Sequence, residues 1–270
     1  MAARPRSYRE RMWGQHATAV ALRRPRVRTF ARALSDGACT TVHVAAYPAR
    51  TTRVRLELMG RPIPLASWCE GSGVENAIVG GFFLRQGDGT PLGELWRGGE
   101  RIESVPFHEP WDATRSCVAI ESGHVRLAPR DDLPERPTGD LLQAGPLLVA
   151  GRRPVVHDDI DPEGFSANQD QFDSDITVGR YPRAALGISH DWIVAAACDG
   201  RGPHDAGMTL RELAELMVTL GADRAINLDG GGSTSLVHDG VLLNVPREEH
   251  GIELVAGRPV ANALVFDVTS

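Results

Sequence analysis

The order of apolar and polar residues predicts a chain built mostly from short β-strands. Residues 41–47 and 52–59 alternate in polarity or run apolar, and Pro48 and Gly60 close them. Residues 77–84 are apolar but contain two adjacent glycines, which in a strand mark a bulge or a close approach to the backbone. This part of the chain therefore favours sheet structure with frequent turns.

The last third of the sequence carries one well-marked helix. Thr209 and Glu212 form the T-x-x-E pattern of a capping box, and the apolar residues that follow share one helical face. Gly221 supplies the C-terminal stop. The pattern predicts a helix from about residue 210 to residue 220.

Further strands and loops surround this helix. Short strands are predicted at 147–149, at 225–228, in a hairpin around Asp239-Gly240 and at 263–268. Two stretches are predicted to be loops: residues 128–140, with three prolines, and residues 157–175, which are acidic and polar. We expect the second loop to be long and mobile.

These elements predict an α+β fold with a single domain, a mixed β-rich sheet core and few helices over residues 39–270. Residues 1–38 are predicted to form a basic N-terminal arm. Within it, residues 1–35 carry nine Arg and one acid, a balance of +8, whereas the remaining chain carries −14. An acidic body with a short basic arm is not typical of a duplex-binding domain, so no nucleic-acid partner is expected.

The lengths of the apolar runs and the spacing of the cysteines indicate where the protein is located and how its thiols behave. No run approaches the roughly 18 apolar residues of a membrane span, and no secretory apolar region follows the basic residues. We therefore expect a cytoplasmic protein without a membrane partner; the sequence indicates no oligomeric state. The four cysteines form no C-x-x-C pair, and Cys198 lies in an apolar run typical of a buried, inert thiol.

The chain contains no lysine, and all 29 of its basic residues are arginine. This excludes a Schiff-base lysine, a lysine general base and a P-loop lysine. A phosphate bound by this protein would be held by guanidinium groups, backbone N–H groups, hydroxyls or a metal ion.

The strongest chemical signal is the sequence N-L-D-G-G-G-S-T-S at 227–235. Asp229 follows a short strand directly, and Gly230, Gly231 and Gly232 can adopt backbone angles closed to other residues. Consecutive N–H groups of such a loop can converge on an anion, with the hydroxyls of Ser233 and Thr234 beside them. We predict that this loop binds phosphate.

A second cluster lies between residues 180 and 201. Asp199, like Asp229, follows an apolar run and precedes a glycine, and Arg183 and Arg201 lie nearby in the sequence. A planar guanidinium can donate to two oxygens of a phosphodiester. A pair of turn aspartates with surface arginines would produce the same pattern.

From about Glu75 to Val268 the chain resembles the phosphodiester glycosidase family. The last third is a close, ordered match, and we identify no resemblance for the first 70 residues. We expected the family motif N-G-G-F-F to carry its Asn where this chain has Gly80. The matching stretches are A-I-V-G-G-F-F (77–83), A-G-P-L-L-V-A-G (144–151), R-Y-P-R-A-A-L-G-I (180–188), C-D-G-R (198–201), G-M-T-L-R-E-L-A-E-L-M (207–217), N-L-D-G-G-G-S-T-S-L-V (227–237) and R-P-V-A-N-A-L (258–264).

The resemblance implies hydrolysis of a sugar 1-phosphodiester to a free sugar and a phosphomonoester, with no cofactor. It implies that Asp229, Asp199 and Arg183 line the site. Our hypothesis for the mechanism makes Asp229 the nucleophile or base, Asp199 the second carboxylate and Arg183 a ligand of the departing phosphate. Substrate-binding roles are implied for Gly81, Arg201, Gly230, Gly231, Gly232, Ser233 and Thr234.

Two other functions remain open from the sequence. One is a metal-dependent phosphodiesterase, in which Asp199 and Asp229, or His157 with Asp158, Asp159 and Asp161, bind a divalent cation; a solvated acidic loop would look the same. The other is a non-catalytic phosphoglycan-binding module, which the residue Gly80 favours and in which Phe82 and Phe83 would stack on a sugar.

Overall fold

Three β-sheets and three α-helices make up the part of the protein that the computed structural model describes, residues 24–84, 89–157, 161–166 and 177–269. The helices are α1 (Leu65–Ser72), α2 (Trp111–Thr114) and α3 (Leu210–Thr219). The strands are β1 (Arg26–Ala33), β2 (Cys39–Pro48), β3 (Thr52–Pro64), β4 (Ala77–Val79), β5 (Leu95–Arg97), β6 (Glu100–Arg101), β7 (Ser116–Glu121), β8 (His124–Pro129), β9 (Asp140–Gln143), β10 (Leu147–Ala150), β11 (Arg153–Pro154), β12 (Arg183–Ile188), β13 (Trp192–Cys198), β14 (Arg224–Asn227), β15 (Leu236–His238), β16 (Val241–Leu242) and β17 (Pro259–Val268).

Neighbouring strands pair antiparallel in all three sheets. The largest sheet has seven strands in the order β1-β2-β13-β12-β14-β10-β11. The other two have five strands each, in the orders β16-β15-β4-β17-β3 and β6-β5-β9-β7-β8. Together with the helices they confirm the predicted α+β fold of a single domain.

The central strands of the seven-stranded sheet are buried on both faces, because they lie between α3 and the two smaller sheets. In β13 the side chains of Val194 and Ala196 pack on the helix side, whereas Ile193 and Ala195 pack on the sheet side. All seven residues of β13 are buried, which explains the continuous apolar run in its sequence. Burial raises the pKa of the Cys198 thiol to about 12, which confirms the prediction of an inert cysteine.

The prediction of an N-terminal arm is wrong for Arg26–Ala33, which belongs to the largest sheet. Arg26–Ala33 forms β1 and pairs with β2 along its whole length, from Arg26 opposite Ala46 to Ala33 opposite Cys39. All its residues are exposed or half-buried, which is typical of an edge strand, and Arg26 and Arg32 are half-buried on the same face as Phe30. Residues 1–23 of the predicted arm lie outside the described residues.

Local sequence signals identified several elements correctly. Helix α3 begins with the predicted capping box, in which the Thr209 hydroxyl accepts from the Glu212 N–H and the Glu212 carboxylate accepts from the Thr209 N–H. The hairpin around Asp239-Gly240 and the loop between β8 and β9 are also present. Helix α1 was not predicted; it follows Pro64 and ends at Gly73, which has the left-handed φ of 70°.

The predicted mobile loop at 157–175 is anchored where it is described. Arg115 is fully buried, and its guanidinium lies 4.1 Å from the ring centroids of both Phe107 and Phe165. It donates to the backbone carbonyls of Glu163 and Gly164, at 2.9 and 3.0 Å. Residues 161–166 are therefore fixed to the body, while residues 158–160 and 167–176 lie outside the described residues.

The Glu163 carboxylate completes this anchor. It accepts hydrogen bonds from the N–H and hydroxyl of Ser116 and from the N–H of Leu147. Burial raises the pKa of Glu163, and the hydrogen bonds and the charge of Arg115 act in the opposite direction. Burial in turn lowers the pKa of Arg115 to about 10.

Candidate functional site

The loop that follows β14 lies against two other turns at one end of the sheets. The N–H of Asp229 donates to the carbonyl of Gly80, which follows β4, at 2.9 Å. The N–H of Gly231 donates to the carbonyl of Pro182, which precedes β12, also at 2.9 Å. The structure therefore brings the predicted residues of the glycine loop next to Gly80 and Gly81, about 150 residues away in the sequence.

The glycine loop differs from the predicted anion nest. The N–H of Gly230 donates to the Oδ1 atom of Asp229 at 2.9 Å, and the N–H of Gly231 is used by Pro182. Two of the three glycine amides are thus bonded within the protein. The Asp229 carboxylate is half-buried at the end of β14 and is oriented by the loop that follows it.

Two guanidinium groups lie beside this loop. A Cβ atom added at Gly231 would lie 3.6 Å from both terminal nitrogens of Arg201. A Cβ atom added at Gly232 would lie 2.7 Å from Nη2 of Arg258, so a side chain at residue 232 would displace this arginine. Arg201 has a positive φ of 58°, a conformation that costs energy in a non-glycine residue and is frequent at functional sites. The positive charge at the loop is therefore supplied by Arg201 and Arg258.

Arg183 bonds to backbone carbonyls near the start of β12. Its side chain is buried at the start of β12, where Nε donates to the Met208 carbonyl at 3.0 Å and Nη2 donates to the Gly179 carbonyl at 3.4 Å. Its guanidinium lies 5.3 Å from the ring centroid of Tyr181, and that of Arg201 lies 5.7 Å from the same ring. Arg183 thus anchors the chain before β12, and its role as a phosphate ligand stays a prediction.

Asp199 is also an anchor in this structure. One carboxylate oxygen lies 3.0 Å from Nε2 of His43, and the other accepts from the N–H of Val245 at 2.8 Å. The residue is 3 % exposed, and its own N–H donates to the Thr41 carbonyl. Asp199 therefore ties β2 to the segment after β16, and its role as the second carboxylate stays a prediction.

The two hydroxyl residues of the loop are buried. Neither the Ser233 nor the Thr234 hydroxyl has a hydrogen-bond partner among the described residues. Both side chains are out of contact with solvent, whereas the sequence predicted hydroxyls open to a ligand. Their predicted part in substrate binding remains a prediction.

The Gly80-Gly81 pair makes room for a buried asparagine. The Oδ1 atom of Asn262 accepts from the N–H of Gly81 at 2.7 Å, and a Cβ atom added at Gly80 would lie 2.0 Å from the same oxygen. Aligned letter by letter, N-G-G-F-F covers residues 79–83, so the residue in place of the family's Asn is Val79 and not Gly80. The expectation for Gly80 was wrong by one residue.

The Gly80→Ala variant is expected to lower the free energy of unfolding by about 1–3 kcal/mol, because the new methyl group overlaps Asn262. Gly60→Ala is the matched control, since a Cβ atom at Gly60 meets nothing within 4 Å. Urea unfolding monitored by circular dichroism measures both. Equal midpoints for the two variants would contradict the packing described for Asn262.

Comparison with known proteins agrees with this arrangement. The family model described as "Phosphodiester glycosidase" matches residues 72–267. The chain belongs to the phosphodiester glycosidase family. It is therefore related to glycosidase-type hydrolases, and the family match spans the glycine loop, both arginines beside it and Asn262.

Individual relatives extend this comparison. The chain is 28 % identical over 252 residues to N-acetylglucosamine-1-phosphodiester alpha-N-acetylglucosaminidase of Bos taurus, covering 87 % of this chain and 46 % of that protein. It spans about half the length of this curated relative. The catalytic domain of the zebrafish enzyme of that name is similar in fold, with a TM-score of 0.68, 17 % identity and coverage of 91 % of this chain and 83 % of that one. A Synechocystis protein gives a TM-score of 0.61 at 18 % identity, covering 91 % and 62 %.

Four residues that contact the glycine loop or predicted site residues were not selected from the sequence: His43, Glu248, Arg258 and Asn262. Arg258 and Asn262 belong to the stretch R-P-V-A-N-A-L, which carried the family resemblance. A buried asparagine within an apolar strand was a usable signal, because a polar side chain there needs a partner. Glu248 and His43 had no local signal of this kind.

The structure describes only some of the residues that the metal-dependent alternative requires. Asp161 accepts from the N–H and hydroxyl of Ser166, while Asp158 and Asp159 lie outside the described residues. Within the described ranges, no group of three His, Cys, Asp or Glu side chains is placed to hold a metal ion. None of the described helices has the length and apolar character to cross a bilayer.

The side chains of the two phenylalanines after Gly81 pack inside the protein and are not exposed on its surface. Phe82 is buried against the rings of Phe107 and Phe165, at centroid distances of 6.3 and 5.9 Å. Phe83 is partly buried against the main core. Phe82 thereby connects the turn beside Asp229 to the anchored segment 161–166.

A cavity of about 880 Å³ lies away from the predicted site residues. Its lining is mainly apolar and includes Pro146, Leu147, Val156 and Leu210. None of the ten residues predicted for the site lines it. The cavity therefore does not contain the chemistry assigned to the glycine loop.

Proposed function

We propose that the protein hydrolyses a sugar 1-phosphodiester at the anomeric carbon, releasing the free sugar and leaving a phosphomonoester on the other alcohol. The observation that carries this proposal is the placement of one carboxylate and two guanidinium groups around a single loop. Asp229 lies at the start of the loop, and Arg201 and Arg258 lie beside Gly231 and Gly232. The reported family and its bovine relative support the same reaction class.

The charges of these groups match what the reaction requires. When the bond between the anomeric carbon and the phosphate oxygen breaks, the electron pair leaves on the phosphate and positive charge develops on the sugar ring. The guanidinium groups of Arg201 and Arg258 stabilise the departing phosphate. Because a phosphate is a good leaving group, no strong general acid is required on that side.

Asp229 acts on the sugar side of the bond. As a base it takes the proton from the water that attacks the anomeric carbon, and as a nucleophile it forms a glycosyl ester that water then hydrolyses. In both courses its negative charge stabilises the oxocarbenium-like transition state. The hydrogen bond from the Gly230 N–H holds one of its oxygens in place.

The test is a panel of sugar 1-phosphodiesters incubated with the protein in H₂¹⁸O, with and without a chelator. The proposal predicts free sugar carrying ¹⁸O, phosphomonoester without it, and turnover that the chelator does not change. Isotope in the phosphate would show P–O cleavage and favour a phosphodiesterase. Binding without any product from the whole panel would favour a phosphoglycan-binding module.

A further inference from the structure

The carboxylate of Glu248 lies between the two arginines of the glycine loop. It forms a two-pronged ion pair with Nε and Nη2 of Arg258. Its Oε2 atom also lies 4.0 Å from Nη1 of Arg201. A Cβ atom added at Gly232 would lie 2.8 Å from Oε1 of Glu248, so this carboxylate and the Arg258 guanidinium both fill the space that the glycine leaves.

This arrangement has the geometry of an occupied anion site. A carboxylate and a phosphate present two oxygens to a guanidinium in the same way, so a group that pairs Arg258 through both nitrogens stands in for phosphate. The side chains of Arg258 and Arg201 are 10 % and 14 % exposed, whereas that of Glu248 is 30 % exposed. The Glu248 carboxylate is therefore more accessible to solvent than the two arginines, which lie deeper in the protein.

The backbone around Glu248 allows its side chain to leave. Its N–H donates to the Ile252 carbonyl at 2.8 Å, and the neighbouring residues Glu249 and His250 are exposed. Rotation of the Glu248 side chain thus breaks no core packing. The next arginine in the sequence, Arg247, is engaged by Glu253 at 2.8 Å and by Asp205 at 3.5 Å.

We propose that Glu248 occupies the phosphate subsite of the empty protein and exchanges with the phosphate group of the ligand. This inference rests on the proposed function and identifies the subsite that Arg258 and Arg201 form over Gly232. Ligand phosphate and Glu248 compete for the same two guanidinium groups. The apparent dissociation constant for a phosphate ester is therefore raised by the fraction of molecules in which Glu248 holds the site.

The test compares Glu248→Gln with wild type for binding of phenyl phosphate by isothermal titration calorimetry. Removing the competing charge is expected to lower the dissociation constant roughly tenfold. This is the change expected if Glu248 holds the site in about 90 % of the wild-type molecules. Glu253→Gln is the matched control, because it removes the same charge from the same hairpin but from the Arg247 pair. We expect its dissociation constant to stay within about twofold of wild type.

A second variant guards against a folding defect. Glu248→Asp keeps the charge but shortens the side chain by one methylene group, so it loses the two-pronged contact with Arg258 and should also bind phenyl phosphate more tightly. Thermal melting verifies that both variants are folded. Unchanged or weaker binding in both variants, or no binding by any of the proteins at millimolar phenyl phosphate, would overturn the exchange.

The binding assay separates this inference from the proposed function because it requires no turnover. If the Glu248 variants bind phenyl phosphate more tightly but no phosphodiester releases sugar, the phosphate subsite is supported and the proposed hydrolase function is rejected. Sugar release by wild type without the gain in binding would keep the hydrolase and reject the exchange of Glu248 with phosphate.

Discussion

Asp229→Asn is expected to lower kcat for hydrolysis of a sugar 1-phosphodiester by about 10²–10⁴-fold, the usual loss when a positioned acid or base is removed. The substitution removes the negative charge that faces the developing positive charge of the sugar. The amide oxygen of Asn still accepts the hydrogen bond from the Gly230 N–H, so the loop keeps its shape. The loss therefore reports chemistry and not folding.

The control for this experiment is Asp223→Asn. Asp223 directly precedes β14, the strand that Asp229 follows, but its side chain is 41 % exposed and pairs with Arg152 at 3.3 Å. We expect its kcat to equal that of wild type. Binding of phenyl phosphate by Asp229→Asn should remain within about threefold of wild type, because the arginine subsite is unchanged. A kcat within tenfold of wild type would show that another group carries the reaction.

Elements whose signals lie close together in the sequence were predictable. The capping box of α3 and the hairpin at Asp239-Gly240 depend on residues three or fewer positions apart, and both are present. Strands β5 to β9 were not placed, because several are only two to four residues long and their pairing joins distant segments, as with Leu95 and Leu142. A short strand has little periodicity of its own and is stabilised by its neighbours.

The candidate site also contains features that the sequence could predict and features that it could not. Its glycine loop could be located from the sequence, since an acid, three glycines and two hydroxyl residues adjoin there. The contacts of Arg183 and Asp199 could not be predicted, because they depend on partners supplied by the fold, such as His43, 156 positions from Asp199. Residue type identified which groups could bind phosphate, but burial and hydrogen bonding decided which of them face the loop.

The anchor around Arg115 is where the structure predicts the largest effect on stability. Arg115→Met is expected to lower the free energy of unfolding by about 3–5 kcal/mol, the usual cost of leaving a buried charge without its compensating charge. The methionine fits between the rings of Phe107 and Phe165, so packing is largely kept. The loss comes from the carbonyls of Glu163 and Gly164 and from the Glu163 carboxylate, which all lose a buried partner.

The pH dependence of this loss identifies its cause. Burial already raises the folded-state pKa of Glu163 above its usual 4.5, and removal of Arg115 raises this pKa further. A raised pKa means that stability is fully present below 4.5 and is lost as pH rises through the folded-state value. The deficit of Arg115→Met should therefore be smaller at pH 4 than at pH 7 in urea unfolding. Arg211→Met, which breaks an exposed pair with Glu215, should change stability by about 0.5 kcal/mol or less at both pH values. A similarly small change in Arg115→Met would show that the Arg115 guanidinium does not hold segment 161–166.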